Sequence, residues 1–330
     1  MQDHDVVGIG NALVDIIGQC DDTFLSRHDR AKGSMALVDA ATVKTLYDAM
    51  GPGIEMSGGS AANTVVGVAS FGGRAGFIAK TADDQFGQVF RHDIRAAGVT
   101  YTTTPAAAGG EPTGCSLILV TPDGQRTMNT MLGVSPYLGA EEVDAALIRS
   151  GRILYLEGYL FDRPQAMAAF RLAAEIAAKA GRQVALTLSD PFCVDRHRAE
   201  FQAFVRGSVD ILFANEAEIT SLYQVNTFEE AVQRTRTEAK LAAITRSEKG
   251  SVIVSGEETI AVPAAPVAKV VDTTGAGDLY AAGFLFGLAR GKDYETAGRL
   301  GSLAAAEIIS HVGARPQVKL AELARKAGLL

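Results

Sequence analysis

The stretch Asp272-Thr-Thr274-Gly275-Ala276-Gly277-Asp278, followed by the small-residue run Leu-Tyr-Ala-Ala-Gly-Phe284, sets a flexible turn beside a carboxylate at a helix start. Glycine reaches positive φ without steric cost and lets the backbone press close to a ligand. The first amides of the helix that follows have no intrahelical acceptors and point at any anion placed there. A carboxylate at that spot would repel a bound phosphate, so Asp278 needs a chemical reason to be present. Accepting the proton of a hydroxyl that attacks the terminal phosphate of a nucleotide is such a reason. On this reading Asp278 is a general base and the amides of Gly275, Ala276 and Gly277 form an anion hole. The bare G-x-G-D string equally describes a tight turn whose Asp caps a helix, so the rest of the chain has to decide.

Other clusters carry polar chemistry. Val7-Gly-Ile-Gly10-Asn11-Ala-Leu-Val-Asp15 opens like a dinucleotide fingerprint, but Leu13 holds the third glycine position and a strand, not a helix, follows. The carboxylate of Asp15 suits a pair of vicinal hydroxyls, or is a solvated loop acid. Ser57-Gly58-Gly59-Ser60-Ala-Ala-Asn63 exposes backbone at a glycine pair and sets an amide at a helix start, with Ser60 as an alternative N-cap. Asn215-Glu-Ala-Glu218 places two polar groups on one helical face, able to address one ion through water, and also reads as an ordinary acidic helix start. No Walker A string occurs; the nearest, Gly287-Leu-Ala-Arg-Gly-Lys292, has the wrong spacing and runs into Asp293.

Taken in order, G-N-x-x-x-D, G-G-S-x-x-N, N-x-x-E, T-x-x-x-x-G (Thr245 to Gly250) and D-T-T-G-A-G-D resemble the motifs of the PfkB (ribokinase-like) carbohydrate and nucleoside kinases across essentially the whole chain. Ser60 stands where ribokinases more often carry Lys, and Gly10-Asn11 through Asp15 is similar to the opening of the adenosine kinases, which leans toward the nucleoside-using branch. The resemblance implies Mg·ATP as donor and a nucleoside as acceptor, adenosine going to AMP, with a ribose- or fructose-type sugar kinase as the alternative. A non-catalytic nucleoside-binding protein is the reading of another class. It further implies that Asn11, Asp15, Gly58, Gly59 and Asn63 grip the acceptor. Asn215, Thr245, Gly250 and Thr274 would hold the nucleotide, and Glu218 would meet Mg2+ through water. Arg126, in Gly124-Gln-Arg-Thr-Met128, matches the lid segment that closes over the phosphates, or is an exposed strand Arg. Met128, Tyr159 and Phe161 are candidates for walls of a base pocket, though each suits a core equally.

Elements must hold these residues in place. Short apolar runs at Val6–Gly10, Ala75–Ala79, Ile153–Glu157, Val184–Leu188, Ile211–Ala214 and Leu241–Thr245 alternate with helical patterns near 60–71, 85–97, 140–150, 164–180, 216–224 and 228–238. A hairpin at Ser251–Val254 and Thr259–Val262 precedes helices near 278–290, 294–311 and 317–327. Such alternation predicts a doubly wound α/β domain with a mostly parallel sheet flanked by helices. Two segments, about 13–39 and 99–132, alternate polar with apolar residues instead, the second around a Pro122-Asp-Gly124 turn. Strands without covering helices suggest a small β-sheet lid, as the resemblance also implies, within one kinase domain spanning 1–330.

Composition narrows the partners. The 330 residues are 47% hydrophobic, enough for a large core, and the net charge of −7 offers no basic footprint for nucleic acid. Cys20, Cys115 and Cys193 are far apart, and the five histidines show no ligand spacing, so neither a disulfide framework nor a zinc site is expected. The start Met-Gln-Asp-His-Asp has no basic n-region and no apolar run reaches the roughly 18 residues of a membrane span. A cytoplasmic enzyme with small-molecule partners, away from membranes, monomeric or homodimeric, is the expectation.

Overall fold

A computed structural model describes residues 4–330. Its strands are β1 (His4–Ile9), β2 (Leu13–Gln19), β3 (Met35–Leu37), β4 (Gly53–Gly58), β5 (Ala75–Ile78), β6 (Val99–Tyr101), β7 (Thr113–Val120), β8 (Arg126–Gly133), β9 (Gly151–Glu157), β10 (Gln183–Thr187), β11 (Ile211–Asn215), β12 (Leu241–Thr245), β13 (Ser251–Ser255) and β14 (Glu258–Val262). Its helices are α1 (Asp22–Arg27), α2 (Ala40–Ala49), α3 (Ser60–Ser70), α4 (Gln85–Ala96), α5 (Ala145–Ser150), α6 (Pro164–Lys179), α7 (Pro191–Ser208), α8 (Glu216–Tyr223), α9 (Phe228–Glu238), α10 (Ala276–Ala289), α11 (Tyr294–Ile308) and α12 (Leu320–Lys326).

The large sheet has the order β14-β13-β12-β11-β10-β9-β1-β5-β6, parallel from β12 to β6, with an antiparallel hairpin at the β14 edge. The chain winds from β1 through β5 to β6 on one side, then from β9 to β12 on the other, so its direction reverses between β1 and β9. Both faces are covered, which is why the parallel strands are apolar throughout rather than alternating. Val6, Phe77, Tyr155 and Phe213 pack on one face with Phe284 of α10, and Val7, Ile78, Leu154 and Leu212 on the other with Phe170 and Phe201.

The small residues behind Asp278 do packing work. A Cβ at Gly67 of α3 would lie 2.6 Å from the Cβ of Ala282, and one at Gly283 would lie 2.4 Å from the carbonyl oxygen of Leu300 in α11. Backbones of α3, α10 and α11 therefore approach closely, and their contact fixes where the first turn of α10 sits.

The small sheet has the order β3-β8-β7-β2-β4. Val14, Ile16, Cys115, Leu117 and Met131 point into the core beside Val43 and Leu46 of α2 and Phe90 and Ile94 of α4. On the opposite face the register lines up Leu37, Thr130, Ser116, Asp15 and Met56 in one row across the strands.

Several expectations need correction. Val99–Tyr101, expected in the small sheet, pairs in parallel with Ala75–Phe77 at the edge of the large one, because the β5-α4-β6 crossover returns it there. Strand β4 joins the small sheet without having been expected. The segment 140–150 is not one helix: a 3-10 turn over Ala140–Glu142 precedes α5. Helix α7 was not anticipated, since Asp195-Arg-His-Arg198 interrupts its apolar stripe and the backbone kinks at His197. Those polar groups bond outward, His197 to Asp162 and Arg198 to the carbonyl of Ser221. Among the described residues no helix is long and apolar enough to cross a membrane.

Candidate active site

Where the sheet reverses direction, the chain leaving β1 meets the end of β9, the crevice in which open α/β sheets take their ligands. Asn11 donates from Nδ2 to Glu157 Oε1 at 2.6 Å and from its backbone N–H to the same oxygen at 3.3 Å. Glu157 Oε2 accepts the amide of Ala61 at 2.9 Å, tying β9 to the first turn of α3. Burial raises the Glu157 carboxyl to about 7, with the three donors opposing and the charge of Asp278 adding to the rise.

Asp278 lies in the first turn of α10, on that same turn of α3. Its Oδ1 accepts from Ser60 Oγ at 2.6 Å and its Oδ2 from Asn63 Nδ2 at 2.9 Å. Burial pushes its carboxyl up, and Ser60, Asn63 and the positive charge of Arg315 counter it. A carboxylate only accepts, so Asn63 must offer it Nδ2. That leaves Asn63 Oδ1, like Asn11 Oδ1, buried without a partner. The N-cap of α10 is Gly275, at φ 80°, and no side chain bonds its first amides. Asp278 is therefore not the helix cap; its side chain is held from another element. Nor does Ser60 cap α3, whose N-cap is Gly59.

A cleft of about 930 Å³ opens from Asp278 and Gly277 along the strand ends to Asn215, Glu218, Thr245 and Gly250. Asn215 and Glu218 form a reciprocal capping box: Glu218 accepts from Asn215 N (2.9 Å) and Nδ2 (2.6 Å), while Asn215 Oδ1 accepts from Glu218 N (2.8 Å). The helix-start reading thus describes their local geometry, and they also border the cleft. Burial lifts the Glu218 carboxyl to about 7, with Asp190 and Asp278 adding to the rise. Beside Thr245, Arg246 bonds Glu216 at 2.9 Å and lies 3.8 Å over the ring of Phe228.

Arg126 is not an exposed strand Arg. It pairs with Asp272 Oδ2 at 2.6 Å and donates to Thr274 Oγ1 at 2.6 Å, so the small sheet is docked on the glycine turn, with Nη2 buried and unpartnered. Asp272 in turn accepts the amides of Thr274 and Gly313, both at 3.0 Å.

Asp15 is buried and accepts no hydrogen bond from any described residue. Burial, opposed by Arg315 and Arg126, raises its carboxyl to about 6. A Cβ at Gly58 would stand 2.4 Å from Asp15 Oδ2, and one at Gly59, where φ is 104°, would stand 2.3 Å from the carbonyl of Asn11. The glycine pair is what lets β4 pass these groups. Met128 shares the face of Asp15, packed with Met56 against Ile17 and Ile118.

Of the two aromatic candidates for the base pocket, Phe161 lies elsewhere. Phe161 is 3% exposed and stacks on Phe201 with ring centroids 3.9 Å apart in the core beneath α6 and α7. Tyr159 packs at the margin of the same cluster and donates its hydroxyl to the Ser189 carbonyl at 3.3 Å. The chain turns after Glu157 toward α6 and carries the Phe161 ring into the core, while Tyr159 stays beside Ser189, which borders the cleft.

Glu157 and Arg315 border the candidate site without having been singled out by motif, and Asp272 was read only as the first residue of the glycine-turn string. An acid ending an otherwise apolar strand was a usable signal for Glu157, since such a group is desolvated unless the strand ends in a cleft. Among the described residues no three His, Cys, Asp or Glu side chains cluster as metal ligands.

Residues 55–320 match the model of a family described as pfkB family carbohydrate kinase. The crystal structure of adenosine kinase from Sinorhizobium meliloti is 51% identical, covers 98% of this chain and 99% of that one, and superposes with a TM-score of 0.91. That of a probable sugar kinase protein from Rhizobium etli CFN 42 is 49% identical over 100% of both chains, with a TM-score of 0.94. Adenosine kinase 2 of Arabidopsis thaliana is 25% identical over 93% of this chain and 94% of its own length. With four-fifths of its length matched by that model, the chain belongs to the pfkB family of carbohydrate kinases.

Proposed function

We propose that the protein transfers the γ-phosphate of ATP to the primary hydroxyl of a nucleoside, with adenosine as acceptor and AMP and ADP as products. The observation that carries the acceptor is the row pattern on the face of the small sheet turned away from α2 and α4. Thr130, Ser116 and Asp15 form a polar row. Two residues along each strand, Met35, Met128, Ile118, Ile17 and Ile54 form an apolar row. The Ser116 and Thr130 hydroxyls bond each other at 2.8 Å, so Asp15 is the acceptor left for a ribose; in the apolar row Ile118 and Ile17 are buried, and Met35 and Ile54, exposed at its ends, suit a purine. The relative bearing the name adenosine kinase supports this reading at 51% identity.

In the transfer, Asp278 takes the proton of the hydroxyl as its oxygen attacks the γ-phosphorus and the bond to the β-phosphate oxygen breaks. The amides of Gly275 and Gly277 meet the transferring charge; that of Ala276, expected to join them, donates to the Thr273 carbonyl at 3.2 Å. ATP occupies the cleft along Asn215, Thr245 and Gly250. Asn11 Oδ1 and Asn63 Oδ1, buried and open, accept from the sugar beside Asp15. The small sheet serves as lid, with Arg126 and Thr274 at its contact with the turn, and excludes water.

The donor set fits Mg2+ carried by phosphates and water rather than by a protein cage. Glu218 has both oxygens in bonds to Asn215 and would meet the ion through water. When bound, Mg2+ neutralises charge on the phosphates.

Release of ADP, measured with adenosine, ribose and fructose in the presence and absence of Mg2+, tests the reading. Adenosine should exceed either sugar in kcat/KM by at least about 10²-fold. A sugar turned over as well or better removes the nucleoside assignment, and binding of adenosine without ADP release returns the non-catalytic alternative.

A further inference from the structure

Arg315 sits in Gly313-Ala314-Arg315-Pro316, the loop between α11 and α12. Its Nε donates to the carbonyl of Ser57 at 2.9 Å, Nη2 to Ser57 Oγ at 3.1 Å, and Nη1 to the carbonyl of Ala62 at 2.8 Å. These acceptors bracket Gly58-Gly59: Ser57 belongs to β4, and Ala62 to the turn of α3 whose Ser60 and Asn63 hold Asp278. The same loop touches the anion-binding turn, since a Cβ at Gly275 would lie 3.2 Å from Ala314 Cα, and the Gly313 amide bonds Asp272.

Among the described residues the guanidinium forms no ion pair. All three of its nitrogens bond neutral oxygens, while Asp15, Asp278 and Asp93 act on it from a distance, and desolvation pushes it down to about 10. Holding a desolvated charge away from any carboxylate is costly, so the charge must be felt by groups it does not touch. Facing Asp278 are the acids Asp15 of β2, Glu157 of β9 and Glu218 of α8, the neutral Ser60 and Asn63 of α3, and Arg315, the cation that opposes them.

We propose that Arg315 is a positioning residue for phosphoryl transfer: its fork braces the Gly58-Gly59 turn that receives the acceptor, and its charge keeps Asp278 an anion able to take the hydroxyl proton. This rests on Asp278 as base and not on which acceptor is used. The two halves separate by substitution. Arg315→Met keeps the length and removes the charge; Arg315→Lys keeps the charge and loses the fork.

The experiment is kcat and acceptor KM of the full chain with Mg·ATP from pH 5 to 9, beside a thermal melt of each variant. Protonated Asp278 cannot act as base, so kcat falls at acid pH, and loss of a nearby positive charge moves that limb upward. In Arg315→Met the limb should rise by about one pH unit or more, as removal of an opposite charge does, so that kcat at a given pH on the limb falls about tenfold. In Arg315→Lys the limb should stay in place while acceptor KM rises several-fold. A limb unmoved in the folded Met variant overturns the charge role, and an unchanged KM in the Lys variant overturns the bracing role. Should the Met variant fail to melt cooperatively, the Lys variant decides alone: raised KM with an unmoved limb supports the proposal, and wild-type values for both overturn it. If adenosine is inert and ribose or fructose is phosphorylated, the acceptor assignment fails and the same comparison runs on the sugar. If no acceptor turns over, Asp278 is no base and the role of Arg315 falls with it.

Discussion

Polar groups at the strand ends of the large sheet are bound to one another, whereas the acid on the small sheet is not. Asn11 is held by Glu157, Asn215 by Glu218, and Asp278 by Ser60 and Asn63, each through a contact of 2.9 Å or less. The carboxylate of Asp15, a few residues from Asn11, faces Gly58 and accepts no hydrogen bond from any described residue. The first region is organised before any ligand arrives, at the cost of desolvating acids whose carboxyls rise in consequence. The second leaves a carboxylate that no described residue satisfies and that the hydroxyls of a ligand can reach. Chemistry common to a family suits the rigid half, and choice of acceptor suits the half left open. Relatives bearing sugar-kinase and adenosine-kinase names at nearly equal identity are consistent with that division.

The largest test acts on the rigid half. Asp278→Asn should lower kcat by about 10²–10⁴-fold, the range for loss of a general base, with KM values for ATP and acceptor nearly unchanged, read by steady-state ADP release. Near-normal turnover would break the contrast, because the prearranged carboxylate would then have no chemical task. The next acts on the open half. Asp15→Ala should raise acceptor KM about 10–100-fold, the worth of one or two charge-assisted hydrogen bonds, and leave the KM for ATP alone. With its carboxyl raised to about 6, acceptor affinity in the wild type should weaken as pH falls through that value, and this dependence should vanish in Asp15→Ala. Equal changes in both KM values would mean the two halves are not separate.

What could be read from sequence follows the same line. Glycine turns and strand ends are local, so D-T-T-G-A-G-D, G-G-S and the parallel strands were legible from neighbours a few positions apart. Arg315 was not, because its acceptors lie 253 and 258 residues away and its own stretch has no periodicity. Val99–Tyr101 alternates in a way that fits either sheet; only the crossover through α4 assigns it. Phe161 follows a strand end as a pocket residue would, and the turn that carries it behind the sheet leaves no mark on residue type. The face of the small sheet was legible as polar against apolar, while the alignment of its rows depends on register, which a one-residue slip would invert.

The smallest effect probes what the rigid half costs. Glu157→Gln keeps the shape but replaces one acceptor oxygen with a donor, so either Asn11 Nδ2 or the Ala61 amide meets an N–H and loses its bond. The expected penalty is about 1–3 kcal/mol, measured by chemical denaturation. Its pH course is the sharper readout. The Glu157 carboxyl is raised from an ordinary value of 4.5 to about 7 in the folded protein, so folding takes up a proton there. The resulting stabilisation is complete below about pH 4.5 and is lost as pH rises through about 7. Gln cannot titrate, and every other group is common to the two proteins, so the stability gap between wild type and variant should be wider at pH 5 than at pH 8. A gap independent of pH would mean that the three donors hold Glu157 ionised throughout. Its burial would then cost nothing in protonation, and the contrast between a rigid half that stores electrostatic strain and an open half that waits for a ligand would rest on Asp15 alone.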